Sequence, residues 1–345
     1  VGEHRQKIKQ ASPLSLPLAE KLFQNPKIPN SAQRAVVYQP VTSKGAKMKK
    51  ILASFVLGAA VMLAASPASA HSLWVNLFES FAHHPGHIMT SLGWGHSLPL
   101  DDFLAAPNGS IAIKTYDLID PENKKTPLGL PISEKPVLKE LGAGLKMQTG
   151  DMGMRKLSLT PKTKPGTYQV AAQSKPTFFS MYLNKKGRTA WAPKPMDEIK
   201  NAQKVLRGMR YASFAKSMCA IKKWTAPKPV GHDLELMPQS DVSNLRVGQP
   251  LKIKCTLFGK PVVTMPFNLV FLTASSKGFS GKEGFTLAAK LNANGEATFR
   301  FPTAGQWLLN IYLPQDVDKN PKLEEFKGKC TTVMYASSLT INVNP

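Results

Sequence analysis

Proline and glycine interrupt this chain so often that turns and short strands are favoured over a helical bundle. The 345 residues contain 28 Pro and 24 Gly, and only 19% are charged. Proline removes a backbone donor and glycine weakens any regular element, so the segments between them favour short strands and turns. The apolar positions agree: Leu73, Val75 and Leu77 alternate, as do Ile88, Thr90, Leu92 and Trp94. That period of two marks half-buried strands. Strands are also expected over 110–118, 157–159, 168–172 and 178–183. Beyond Gly231 come seven more, at 234–237, 251–258, 267–273, 285–291, 297–301, 307–313 and 331–343, with Asn292-Ala293-Asn294-Gly295 as a turn. About a hundred residues of such strands is the size of an immunoglobulin-like sandwich. One stretch departs from this pattern. Ile199, Ala202, Leu206, Met209 and Ser213 follow a helical spacing, which predicts a helix over 196–219. Thr225-Ala226-Pro227-Lys228-Pro229 then resembles a linker. The expected fold is mainly β: two immunoglobulin-like β-sandwich domains, 71–190 and 230–345, joined by a helical connector and linker over 191–229.

The segment before His71 has a different character. Met48-Lys49-Lys50 precedes an apolar run from Ile51 to Ala65, and Ser66-Pro67-Ala68-Ser69-Ala70 ends it with small residues. A basic start, an apolar middle and an A-x-A site are the three parts of a secretory signal. The run is also shorter than the ~20 residues a membrane-spanning helix needs. The expectation is a signal peptide at 48–70 cleaved after Ala70, an upstream leader at 1–47 outside the fold, and a periplasmic chain beginning at His71.

The full chain carries a net charge of +23. Residues 1–70 hold 10 Lys+Arg and 2 Asp+Glu of the 45 and 22, which leaves 35 and 20 from His71 onward, a net +15. A basic surface could mean nucleic acid, but export argues against it, and no basic stripe interleaved with aromatics is evident. Weak association with an anionic membrane surface is compatible with the charge. Cys219, Cys255 and Cys330 would face an oxidising compartment, where one disulfide and one free thiol are expected, with Cys255–Cys330 the favoured pair.

Catalytic motifs are scarce: no GxSxG, HExxH or P-loop occurs. Histidine, in contrast, is concentrated. Five of the seven His fall within 26 residues: His71, His83, His84, His87 and His96. Signal cleavage would give His71 a free α-amine beside its imidazole, so one residue could chelate a metal through two nitrogens. Further imidazoles would complete an N-rich site suited to Ni(II) or Cu(II). His96 ends a strand and could lie beside the N-terminal strand, while the Pro85-Gly86 turn could return His87 towards His83 or His84. Taken singly, these three also read as a solvated loop. His232 reads as structural, and Trp74 and Trp94 as core or pocket walls. Asp101-Asp102 could accept from an imidazole N–H, although a solvated loop is the plainer reading.

With these residues in view, the chain resembles the two-domain periplasmic nickel- or cobalt-transport components associated with energy-coupling-factor-type transporters. The resemblance rests on Ala70-His71, Ser72-Leu73-Trp74-Val75 and Gly93-Trp94-Gly95-His96-Ser97-Leu98-Pro99. It continues in Tyr182-Leu183-Asn184-Lys185-Lys186-Gly187, Gly231-His232-Asp233-Leu234-Glu235-Leu236-Met237-Pro238 and Gly295-Glu296-Ala297-Thr298-Phe299-Arg300-Phe301-Pro302. It implies a non-enzymatic binding protein that captures Ni(II) or Co(II), free or with a small chelator, and presents it to a membrane permease. It implies His71 and His96 as ligands, with less support for His83, His84 and His87. Two other classes fit the same residues. An N-terminal His plus a second His on a sandwich is also a layout for a copper mono-oxygenase, and the cluster could be incidental to a structural sandwich.

Overall fold

The computed structural model describes residues 71–105, 110–132, 138–264, 270–277 and 286–345. The expected leader and signal lie outside these residues, as do 267–269 and 285 of two expected strands. The described residues all fall within one compact unit.

Alternating sequence becomes strand almost throughout. β1 (Ser72–Ser80) and β2 (His87–Gly95) come first, then β3 (Ile113–Ile119), β4 (Lys125–Pro127), β5 (Leu138–Gly142), β6 (Leu145–Gln148) and β7 (Arg155–Ser158). Next are β8 (Gly166–Ser174), β9 (Thr177–Asn184), β10 (Thr189–Ala192) and the 20-residue β11 (Ala202–Ile221). The second half supplies β12 (Leu234–Pro238), β13 (Pro250–Leu257), β14 (Lys260–Pro261), β15 (Phe271–Ser275) and β16 (Thr286–Lys290). It ends with β17 (Glu296–Arg300), β18 (Gly305–Asp316) and β19 (Thr332–Val343). Among the described residues the helical segments are two short 3-10 turns, Met196–Glu198 and Pro321–Phe326.

The strands stack in three layers. The middle layer is a ten-stranded sheet ordered β16-β15-β18-β19-β11-β8-β3-β4, with β9 and β10 attached to the first half of β11. One outer layer is β1-β2-β7, and the other contains β12, β13, β14 and β17. Alternate side chains of β11 enter opposite cores. Tyr211, Ala215 and Cys219 pack with Leu73, Val75 and Leu92 of the first outer layer. Ala212, Phe214 and Met218 pack with Leu234, Leu236 and Ile253 of the second. β19 divides in the same way, with Ala336 in one core and Leu339 and Ile341 in the other. The result is mainly β and sandwich-like, and strands from both halves of the sequence share the middle sheet.

The expected helical connector is corrected by this arrangement. Residues 202–221 are a strand, paired antiparallel with β8 and β9 and parallel with β19. A strand between two outer layers is apolar on both faces, so it loses the alternation that identifies a strand. A run of nine residues in β11 is buried without a break.

Two buried features tie the layers together. Lys216 of β11 donates from Nζ to Glu235 Oε1 of β12 at 2.7 Å, with both side chains 4% exposed or less. Glu235 also accepts from the backbone N–H groups of Val230 at 2.8 Å and Gly231 at 3.3 Å. Next to this pair His232 lies against Phe214, ring centroids 5.2 Å apart. The cysteine expectation is also corrected: Cys219, Cys255 and Cys330 are all free and buried. Cys255 and Cys330 pack as small apolar groups in one core and Cys219 in the other.

Candidate metal centre at the start of the first strand

The site begins with strand register. β1 and β2 form an antiparallel hairpin of nine residue pairs, from Ser72↔Gly95 to Ser80↔His87. The residues just beyond the first pair are His71 and His96, so the pairing brings them side by side. Their ring centroids lie 4.3 Å apart at 53°. Trp94, one of the suspected pocket walls, stacks on His71 at 5.3 Å and 26°.

The loop after His96 folds back over this end of the hairpin. Asp102 bridges to Trp94 and donates its N–H to the Trp94 carbonyl at 2.9 Å. The carboxylate of Asp102 lies 3.7 Å from His71 Nε2. That of Asp101 accepts from the His96 N–H at 2.7 Å and lies 3.5 Å from His96 Nδ1. Asp101 and Asp102 are thus not merely a solvated loop. Glycine makes the approach possible: Gly95 has φ +125°, and a Cβ there would stand 2.4 Å from Asp101 Oδ2. The loop is held down through the Pro99 carbonyl, which accepts from Trp74 Nε1 at 3.0 Å and Asn76 Nδ2 at 2.8 Å.

The middle sheet anchors His71 from below. The Tyr211 hydroxyl donates to the His71 carbonyl at 3.3 Å. Ser72 Oγ is hydrogen-bonded to the Tyr312 hydroxyl and accepts from Asn310 Nδ2 at 3.1 Å. Sequence reasoning missed these supports because they come from β11 and β18, far along the chain. Burial pushes the His71 imidazole pKa below its ordinary value; His96 adds to this, while Asp102 and Asp101 oppose it. A neutral imidazole is the form that ligates a metal.

His83, His84 and His87 belong elsewhere. They sit in and beside the turn at the opposite end of the same hairpin, eight register steps from Ser72↔Gly95. At ~3.3 Å per residue this is roughly 26 Å from the His71–His96 end. His83 and His84 are exposed. The structure therefore splits the five histidines into two groups. Among the described residues, no group of three or more His, Cys, Asp or Glu is placed to hold a metal ion. The His71–His96 pair with its carboxylates would need a further donor.

Comparison with known proteins adds a family and two solved structures with low similarity. No curated protein matches the chain. Among solved structures, the D0-D1 domain of intimin aligns over 79% of this chain and 98% of its own, at 12% identity and TM-score 0.19. A tetra-tandem repeat from the extending region of a large adhesion protein aligns over 80% of this chain and 74% of its own, at 9% identity and TM-score 0.19. Residues 68–314, most of the chain and all of the His71–His96 site, match the family described as "Domain of unknown function (DUF4198)", and the chain belongs to that family.

Proposed function

We propose that this protein is a non-enzymatic carrier that captures a divalent transition-metal ion, Ni(II) or Co(II), as cargo in the periplasm and passes it to a membrane transporter. The observation that carries the reading is the juxtaposition of His71 and His96, rings 4.3 Å apart, at the residue where signal cleavage would create a new N-terminus. Cleavage after Ala70 would supply the missing donor. The His71 amine and its Nδ1 would chelate the ion, and His96 would add a third nitrogen. Asp102, facing His71 Nε2, would hold the Nε2–H tautomer and leave the lone pair on Nδ1. Asp101, facing His96 Nδ1, would place that ring's lone pair on Nε2 in the same way. An N-rich set suits Ni(II), Co(II) or Cu(II) over hard oxygen-seeking cations. Three ligands leave coordination positions for a small chelator or for the transporter, which suits release.

The test is calorimetric titration of Ni(II), Co(II) and Cu(II) into mass-verified protein beginning at His71, beside the same protein with one residue ahead of His71. Tight one-to-one binding that the added residue abolishes is the expected result. Equal binding by both forms, or binding no tighter than that of an exposed histidine loop, would overturn the reading. Consumption of a reductant by the copper-loaded protein would point to oxidative chemistry instead.

A further inference from the structure

The first half of β11, with β9 and β10, forms a three-stranded ribbon with an unusual surface. Residues 184–207 carry seven Lys+Arg against two Asp+Glu, a net +5 in 24 residues. That is a third of the +15 carried from His71 onward. Among the described residues, none of the seven is in an ion pair. Strand register sorts the ribbon's side chains. Met181 of β9 pairs with Trp191 of β10 on one side and Arg207 of β11 on the other, which places the three in a row on one face. Arg207 reaches across that row to lie 5.6 Å from the Trp191 ring centre. Trp191 is nonetheless 56% exposed. An exposed indole under a guanidinium, with Lys204 in the neighbouring row of the same face and exposed Lys185, Lys186 and Arg188 at the ribbon's tip, combines apolar surface with positive charge.

We propose that this face docks on an anionic phospholipid bilayer. Indole rings settle at the level of lipid headgroups, and clustered Lys and Arg are drawn to anionic lipid by roughly 1 kcal/mol each. The ribbon's edge disfavours the alternative of an added strand: β10 has four residues and is followed by Pro193 and Pro195, which lack the N–H a partner strand would need. The face also leads to the metal centre. Arg207, Met209 and Tyr211 alternate along the same side of β11, and Tyr211 holds the His71 carbonyl. Lipid docking on this face stands without any metal, so it can fail or succeed independently of the cargo reading.

The experiment uses the full chain and phosphatidylglycerol/phosphatidylcholine vesicles containing a lipid with a nitroxide on its headgroup, which quenches tryptophan at the headgroup level. The expected result is quenching that needs phosphatidylglycerol, weakens with salt, and is largely lost in Trp191→Phe. The triple variant Lys185→Gln, Lys186→Gln, Arg188→Gln should need on the order of a hundredfold more lipid. All four positions are exposed, so these variants keep the fold. Quenching unchanged in Trp191→Phe would place another tryptophan at the lipid and overturn the proposal. Equal binding to pure phosphatidylcholine, or binding only to vesicles containing a membrane protein, would overturn it as well.

Discussion

Lys216 and Glu235 form an ion pair across the gap between the middle sheet and one outer sheet, 2.7 Å apart and closed to solvent. Burial alone would raise the Glu235 pKa, but Lys216 and the Val230 N–H outweigh it and hold the carboxyl below its ordinary value. Removing one partner would strand the other charge in an apolar core. Lys216→Met or Glu235→Leu alone should therefore cost about 3–5 kcal/mol, and the double variant much less than the sum. Urea unfolding of the two single variants and the double variant checks this; additive losses would show that the two groups do not act as a pair.

His232 sets an acid limit. It faces Lys216 and Glu235, with Lys125 nearby, and burial followed by Lys216 pushes its pKa from 6.5 down to about 3. The folded pKa is below the unfolded one, so between pH 6.5 and about 3 the unfolded chain gains a proton that the folded chain refuses. Stability falls as the pH drops through this window, by at most ~1.4 kcal/mol per unit from this group, and is insensitive to it above the window. His232→Leu should flatten that part of a stability–pH profile. An unchanged slope would assign the acid sensitivity to carboxylates such as Glu235.

Gly93 is expected to matter for both fold and site. It pairs with Trp74, whose ring lies so close that a Cβ on Gly93 would stand 2.0 Å from it. Gly93→Ala must displace Trp74 and with it the hydrogen bond to Pro99 that holds the Asp101–Asp102 loop. Overpacking of this kind costs typically 1–3 kcal/mol. Thermal unfolding and metal titration of the variant should both show a loss; a loss of stability with unchanged metal affinity would separate the loop from the site.

The carboxylates should tune the proposed metal site without creating it. In protein beginning at His71, His96→Ala should abolish tight binding, whereas Asp102→Asn should weaken it by about 10–100-fold, the usual effect of losing a partner that orients a ligand. His83→Ala and His84→Ala should leave it unchanged, because they lie at the far end of the hairpin. Competition titration against a coloured chelator distinguishes these outcomes.

The hairpin carrying the site was legible in the chain, since Leu73, Val75 and Leu77 and Ile88 to Trp94 alternate openly. Pairing them end to end already places His71 beside His96 and removes His83, His84 and His87. The sequence reading already set His96 beside the N-terminal strand and His87 near His83 or His84, and kept all five as candidate ligands. β11 was illegible for a physical reason. Its alternation is erased by burial on both faces, and bulges between Ala202 and Lys204 and between Val205 and Arg207 shift its apolar positions towards a helical spacing. Tyr211, Asn310 and Tyr312 could not have been found by pattern at all. They meet the first strand only through tertiary packing.

The position of β19 governs the order in which this molecule can assemble. The last strand lies between β18 and β11, and the Ser338 hydroxyl donates to the Leu73 carbonyl 265 residues earlier. Neither core can close around β11 before residues 332–343 have joined the middle sheet, since β19 lines both. The middle sheet therefore stays open until residues 332–343 insert between β18 and β11, and such long-range closure is slow. A stop codon that removed β19 would part β18 from β11 and take side chains from both cores at once.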